Sequence, residues 1–145
     1  DNKNFGLLTD MGNFLCADVD PASAFTRVAP YAYYVHAKDF IVKPFTDADP
    51  GEGSFRSRGG KYLAGTIVGH GNVPIKQCMY QLKRAGYDDC ISIEFEAWSR
   101  SLMHCASALQ TSRSIGLRSD SPHIQKPDLK VGLRVFSARS LFLCP

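Results

Sequence analysis

No apolar run in this 145-residue sequence approaches the ~20 residues a helix needs to cross a bilayer, which excludes a membrane span of that kind. The first residues, Asp1-Asn2-Lys3-Asn4, carry neither the basic region nor the apolar core of a signal peptide. Cysteine is present without any CxxC spacing. The five residues Cys16, Cys78, Cys90, Cys105 and Cys144 are odd in number and far apart, which argues against both a disulfide framework and a zinc knuckle. Reduced thiols acting as small core side chains in a reducing compartment fit better, and a cytoplasmic location is expected. Excess charge of one sign is also scarce, since 17 basic and 14 acidic residues leave a net charge of +3. Arg100, Arg113, Arg118, Arg134 and Arg139 fall among serines late in the chain with no stacking aromatics between them, so a nucleic-acid partner is not expected.

A hydrophobic share of 44% and a charged share of 21% describe one globular domain. Its pattern alternates. Phe5 to Thr9 reads as a short buried strand, Asp20-Pro21 as an N-cap followed by proline at the first helical position, and Pro21 to Ala29 as a helix with Phe25, Val28 and Ala29 inward. Ala32 to Ala37 reads as a second strand, parallel to the first. The stretch from Phe40 to Gly60 is rich in Gly, Asp and Pro and reads as a long loop, with a small hairpin within Lys61 to Val68. Gly69-His70-Gly71-Asn72-Val73-Pro74 then opens a helix in which Ile75, Cys78, Met79, Leu82 and Ala85 recur at helical spacing, with Gly86 at C′. Cys90 to Phe95 is a third strand and Ser99 to Ser114 a third helix. After Ser119 the pattern stops, and 119–145 is expected to be an irregular tail.

Polar residues gather where the strands end. The first strand runs into Asp10, the second into His36, and the β-branched Ile91-Ser92-Ile93 into Glu94-Phe95-Glu96. Buried strands rarely finish in ionisable groups without a ligand, a metal or a proton to handle. In a parallel α/β fold such residues converge at the carboxyl edge of the sheet. Strand alternation also places Tyr34, His36 and Lys38 on one face. Each residue has a plainer role as well: Asp10 and Asn13 as turn residues, His36 as a satisfied polar side chain, Glu96 as a surface carboxylate, and Gly69-His70-Gly71 as a tight turn.

Four motifs in order, Asp10-Met11-Gly12-Asn13-Phe14, His36-Ala37-Lys38-Asp39-Phe40, Gly69-His70-Gly71-Asn72-Val73-Pro74, and Gly86-Tyr87-Asp88-Asp89 before Ile93-Glu94-Phe95-Glu96, resemble the xylose isomerase-like TIM barrels, above all the sugar phosphate isomerase/epimerase group. The resemblance covers about residues 4–98. It implies that residues 1–118 are the C-terminal part of an eight-unit barrel, its last three βα units. It further implies that Asp10, His36 and Glu94 are ligands of a divalent metal ion (Mn, Mg, Co or Zn), with a fourth, a glutamate on the preceding strand, lying before Asp1. In this family that glutamate and the one matching Glu94 pass a proton beside a carbonyl. Glu94 is therefore an expected catalytic group, together with Lys38, whose ammonium can stabilise an oxyanion or hold a phosphate or hydroxyl, and Asn13, His70 and Glu96 are the expected contacts to a sugar or sugar phosphate. The chain departs from related sequences after Glu96, where Ala97-Trp98-Ser99-Arg100 replaces Gly and an acidic stretch.

The expected reaction is metal-assisted enolisation of a ketose or aldose. Two alternatives stand beside it. A metal phosphodiesterase of the endonuclease IV kind would need a richer His/Asp/Glu set and a basic groove. A non-catalytic barrel fragment would expose an open sheet edge and could form a homo-oligomer.

Overall fold

The computed structural model describes residues 5–94 and the backbone of 131–134. Leu7–Asp10 forms β1, Ala32–Ala37 β2, Ile91–Glu94 β6 and Val131–Arg134 β7, side by side in the order β1-β2-β6-β7. All three pairings are parallel, with Asp10 opposite His36, His36 opposite Ser92 and Glu94 opposite Arg134. A register shift between Leu7 and Leu8 marks a bulge near the start of β1. The tail expected to be irregular thus contributes a strand at 131–134. The helix expected over 99–114, and Glu96, lie outside the described residues.

Helix α1, Pro21–Val28, links β1 to β2, and the Asp20 carboxylate accepts the Ser23 N–H at 2.7 Å, as an N-cap should. Helix α2, Ile75–Arg84, precedes β6 and ends in Ala85 and Gly86, the latter at φ 79°. Both helices lie on one side of the parallel sheet. Alternation sends Val35, Ala37, Ile91 and Ile93 to that side, where they pack with Phe25, Ala29, Ile75, Cys78 and Leu82. Burial pushes the Cys78 thiol up to about 12, so it stays a neutral, inert core group. Cys16, Cys78 and Cys90 are free thiols. Among the described residues no helix is long and apolar enough to cross a membrane.

The segment expected to be a long loop carries two short strands, and the segment expected to hold a hairpin supplies a single strand that pairs with both. Asp39–Lys43 (β3), Ser54–Arg56 (β4) and Tyr62–Thr66 (β5) pair antiparallel in the order β3-β5-β4. Phe40 meets Phe55 edge to face at 5.5 Å, and the Arg56 guanidinium lies 4.5 Å over the Tyr62 ring. Asp18, in the left-handed region at φ 57°, ties this sheet to the loop after β1. Its carboxylate accepts from the Ser57 hydroxyl at 3.0 Å and the Gly59 N–H, and pairs with Lys61 at 3.2 Å. The small sheet is therefore anchored next to the carboxyl ends of β1 and β2.

Candidate metal and proton-transfer site

The helix-free face of the parallel sheet carries the chemistry. Because Val35 and Ala37 point to the core, Tyr34 and His36 point the other way, and Ser92 and Glu94 do the same from β6. Tyr34 hydrogen-bonds the Ser92 hydroxyl and meets the His36 ring edge to face at 5.2 Å. One layer further along, Asp10, His36 and Glu94 converge, each offering one ligand atom, all within 4.8 Å of one another.

His36 Nδ1 stands 2.9 Å from Glu94 Oε1 and 3.8 Å from Asp10 Oδ2. Lys38 reaches in from just beyond β2. Its Nζ lies 2.8 Å from Glu94 Oε2 and 3.5 Å from Asp10 Oδ2, and donates to Asn13 Oδ1 at 3.3 Å. Gly12 makes room for this approach, since a Cβ there would come 3.1 Å from the Lys38 stem and 2.9 Å from the Phe40 ring. Lys38 is only 2% exposed, and Asp10 and Glu94 are each 7% exposed. A buried ammonium against two buried carboxylates is a costly arrangement unless each charge finds compensation.

The two oxygens of Asp10 do different work. Oδ1 accepts the Gly12 N–H at 2.7 Å and the Asn13 N–H at 2.9 Å, so the turn role suggested by the sequence is present. Oδ2 is buried and has no hydrogen-bond partner. Burial raises the Asp10 pKa above 3.8, opposed by Lys38 and the two backbone N–H groups and reinforced by Glu94. A buried acceptor beside an imidazole and a second carboxylate is what a divalent cation would satisfy, and two carboxylate oxygens with one imidazole nitrogen are a suitable donor set. The residues fit the group. Three protein donors would also leave coordination positions for substrate oxygens or a further carboxylate.

Asn13 thus joins the cluster through Lys38. His70 is exposed on the turn between β5 and α2. The glycine turn around it gives its N–H groups to an internal carboxylate. Asp39 Oδ2 accepts from Gly69 N and Gly71 N, both at 2.9 Å, while Oδ1 accepts from Val73 N at 2.9 Å and Phe40 N at 2.8 Å. A Cβ on Gly71 would overlap this carboxylate, so only glycine fits there. Sequence reasoning missed Asp39. The available signal was an acidic residue following Lys38 together with a Gly-x-Gly turn lacking any side-chain cap of its own.

Among solved structures, the chain is similar to a xylose isomerase domain protein from Planctomyces limnophilus, with a TM-score of 0.60 and 23% sequence identity, over 80% of this chain and 37% of that one. The likeness is one of fold. This chain spans 37% of its neighbour's length, and the shared architecture is mixed α/β with a parallel sheet of TIM-barrel type. No family model matches the sequence, and no curated protein matches it significantly. In this chain the Asp10-His36-Glu94 cluster sits at the carboxyl ends of the parallel strands, where such sheets gather polar groups.

Proposed function

We propose that the chain is the C-terminal part, the last three βα units, of a metal-dependent sugar or sugar phosphate isomerase or epimerase. One observation carries this reading: three adjacent parallel strands bring Asp10, His36 and Glu94 within 4.8 Å of one another around a buried carboxylate oxygen that makes no hydrogen bond. A divalent cation held there would polarise the carbonyl and hydroxyl oxygens of a ketose or aldose and acidify the adjacent C–H. Glu94, whose two oxygens lie 2.9 Å from His36 Nδ1 and 2.8 Å from Lys38 Nζ, would take or return that proton. The Lys38 ammonium, shared with Asn13, would stabilise negative charge developing on the substrate oxygen. Burial around the cluster excludes water that would otherwise compete for these groups.

The outer edge of β1 pairs with no strand among the described residues. Beside it runs a groove of about 370 Å³ lined by Leu7, Leu8, Thr9, Asp10, Asn13, Phe14 and Val28. In this proposal the groove is filled in the parent protein by a preceding strand bearing the additional carboxylate. The test is metal uptake followed by proton exchange. His36→Ala should abolish stoichiometric Mn²⁺ binding; retained one-to-one binding in that variant refutes the ligand assignment. With the remaining barrel units supplied, ketoses and their phosphates in D₂O should gain deuterium beside the carbonyl only when metal and Glu94 are both present. Exchange that persists in Glu94→Gln refutes the proton-transfer role.

A further inference from the structure

Lys38 is the feature that a simple three-ligand site does not explain. Its ammonium lies against the same two carboxylates that would hold a cation, 2.8 Å from Glu94 and 3.5 Å from Asp10, on a side chain 2% exposed. It therefore supplies positive charge at the position where the metal reading requires a dication. Asp10 Oδ2 faces both this ammonium and the His36 ring, yet it hydrogen-bonds neither. That oxygen is held ready by a counter-ion close enough to neutralise it, without being consumed.

We infer that Lys38 is a resident counter-ion for the Asp10–Glu94 pair, keeping the two carboxylates together without metal and yielding Asp10 when a divalent cation binds. This rests on the metal reading above and adds an exchange to it. Two buried carboxylates in one cluster repel, and something positive must accompany them whether or not metal is present. An ammonium and a dication on the same pair repel each other in turn, so the first must retreat as the second arrives. The retreat has a destination: the Asn13 amide oxygen already accepts from Nζ at 3.3 Å, and Asn13 is exposed at the mouth of the cluster. Lysine's flexible stem and compact charge suit such a movement, where the planar guanidinium of arginine would not. Metal loading would then turn Lys38 from a structural cation into one directed at substrate.

The experiment compares Mn²⁺ binding, read as loss of the free-ion electron paramagnetic resonance signal, and metal-free thermal unfolding in the wild-type chain and in Lys38→Met. The neutral variant should bind Mn²⁺ about tenfold more tightly or better, since the competing charge is gone, while its metal-free unfolding midpoint falls. Lys38→Gln, which keeps a polar contact for Asn13, should show the same opposed pair of changes. Tight binding by the variants with none by the wild type supports the exchange in extreme form. Unchanged or weaker Mn²⁺ affinity in both variants, beside a wild type that binds, overturns the exchange and leaves the metal reading standing. Absence of binding in all three chains overturns both. Failure of both variants to fold even with saturating Mn²⁺ also overturns the exchange, because a placeholder is dispensable once the dication is bound.

Discussion

Asp39→Ala should be among the most damaging single changes outside the Asp10-His36-Glu94 cluster. The carboxylate accepts four backbone N–H groups, from Phe40, Gly69, Gly71 and Val73, at 2.8 to 2.9 Å. Removing it leaves these donors unequal. The bonds to Gly69 and Gly71 are partly buried, so water can replace their acceptor, whereas those to Phe40 and Val73 are buried. Two buried unsatisfied donors at about 1–3 kcal/mol each, less the recovered cost of desolvating a carboxylate, give a loss of about 2–5 kcal/mol. With a urea slope of about 1–3 kcal/mol per molar, the unfolding midpoint should drop by roughly 1–2 M. Asp39→Asn should fall between, because whichever way the amide turns, its NH₂ meets a pair of N–H donors. Gly71→Ala tests the same contact from the other side, as its Cβ would overlap the Asp39 carboxylate. Equilibrium unfolding followed by circular dichroism reads the energies, and amide exchange at Phe40 and Val73 reads the local opening. A loss under about 1 kcal/mol for Asp39→Ala, or wild-type behaviour in Asp39→Asn, would refute the claim that this carboxylate organises the turn.

Two further changes probe charge. The backbone N–H of Gly59 and the contacts to Lys61 and Ser57 hold the Asp18 pKa below its ordinary 3.8, so its contribution to stability is present above that value and disappears as pH falls through the lowered folded pKa. Asp18→Asn should flatten that part of the acid limb of a stability–pH curve; an unaltered limb counts against the link between the small sheet and the loop after β1. Asp10 has the opposite sign. Its folded pKa is raised above 3.8 by burial, so ionising it costs stability as pH rises through the window between the two values. Asp10→Asn should therefore make the metal-free chain more resistant to urea at neutral pH, with the gain vanishing below pH 3.8, and should lose Mn²⁺ uptake. A destabilised Asp10→Asn at neutral pH would contradict the assignment of burial as the dominant cause.

The parallel strands were legible because their signals are local. Ala32–Ala37 is bounded by Pro30 on one side and by Lys38 and Asp39 on the other, and Asp20-Pro21 marks its helix start without help from tertiary structure. The antiparallel sheet was not legible in the same way. β4 is three residues long, and β3 and β5 pair across an intervening stretch of Gly, Asp and Pro that locally reads as loop. Phe40-Ile41-Val42 had strand composition, but nothing nearby in sequence announced its partner at Tyr62–Thr66. Asp39 was hidden for a related reason: its partners at Gly69, Gly71 and Val73 lie 30 to 34 residues away. The N–H groups of the glycine turn have no local acceptor, and only the fold brings them one, the Asp39 carboxylate.

The grouping of Asp10, His36 and Glu94 follows from one property of strands. Because side chains alternate, a strand that buries Val35 and Ala37 under the helices must present Tyr34 and His36 on the opposite face, and Ile91 and Ile93 impose the same on Ser92 and Glu94. A one-residue slip in either strand would exchange the core for the site, so the apolar packing that stabilises the sheet also fixes the register of the ionisable groups. That register has a cost. It places two carboxylates, an imidazole and an ammonium in a nearly dry cluster and leaves Asp10 Oδ2 without a hydrogen bond, an arrangement that stability alone would not select. The strain persists because Gly12 admits Lys38, Asn13 accepts from its ammonium, and Asp39 pins the chain immediately after it. These supporting contacts lie outside the proposed metal-ligand trio. They hold the charges close enough to act on a cation or a proton.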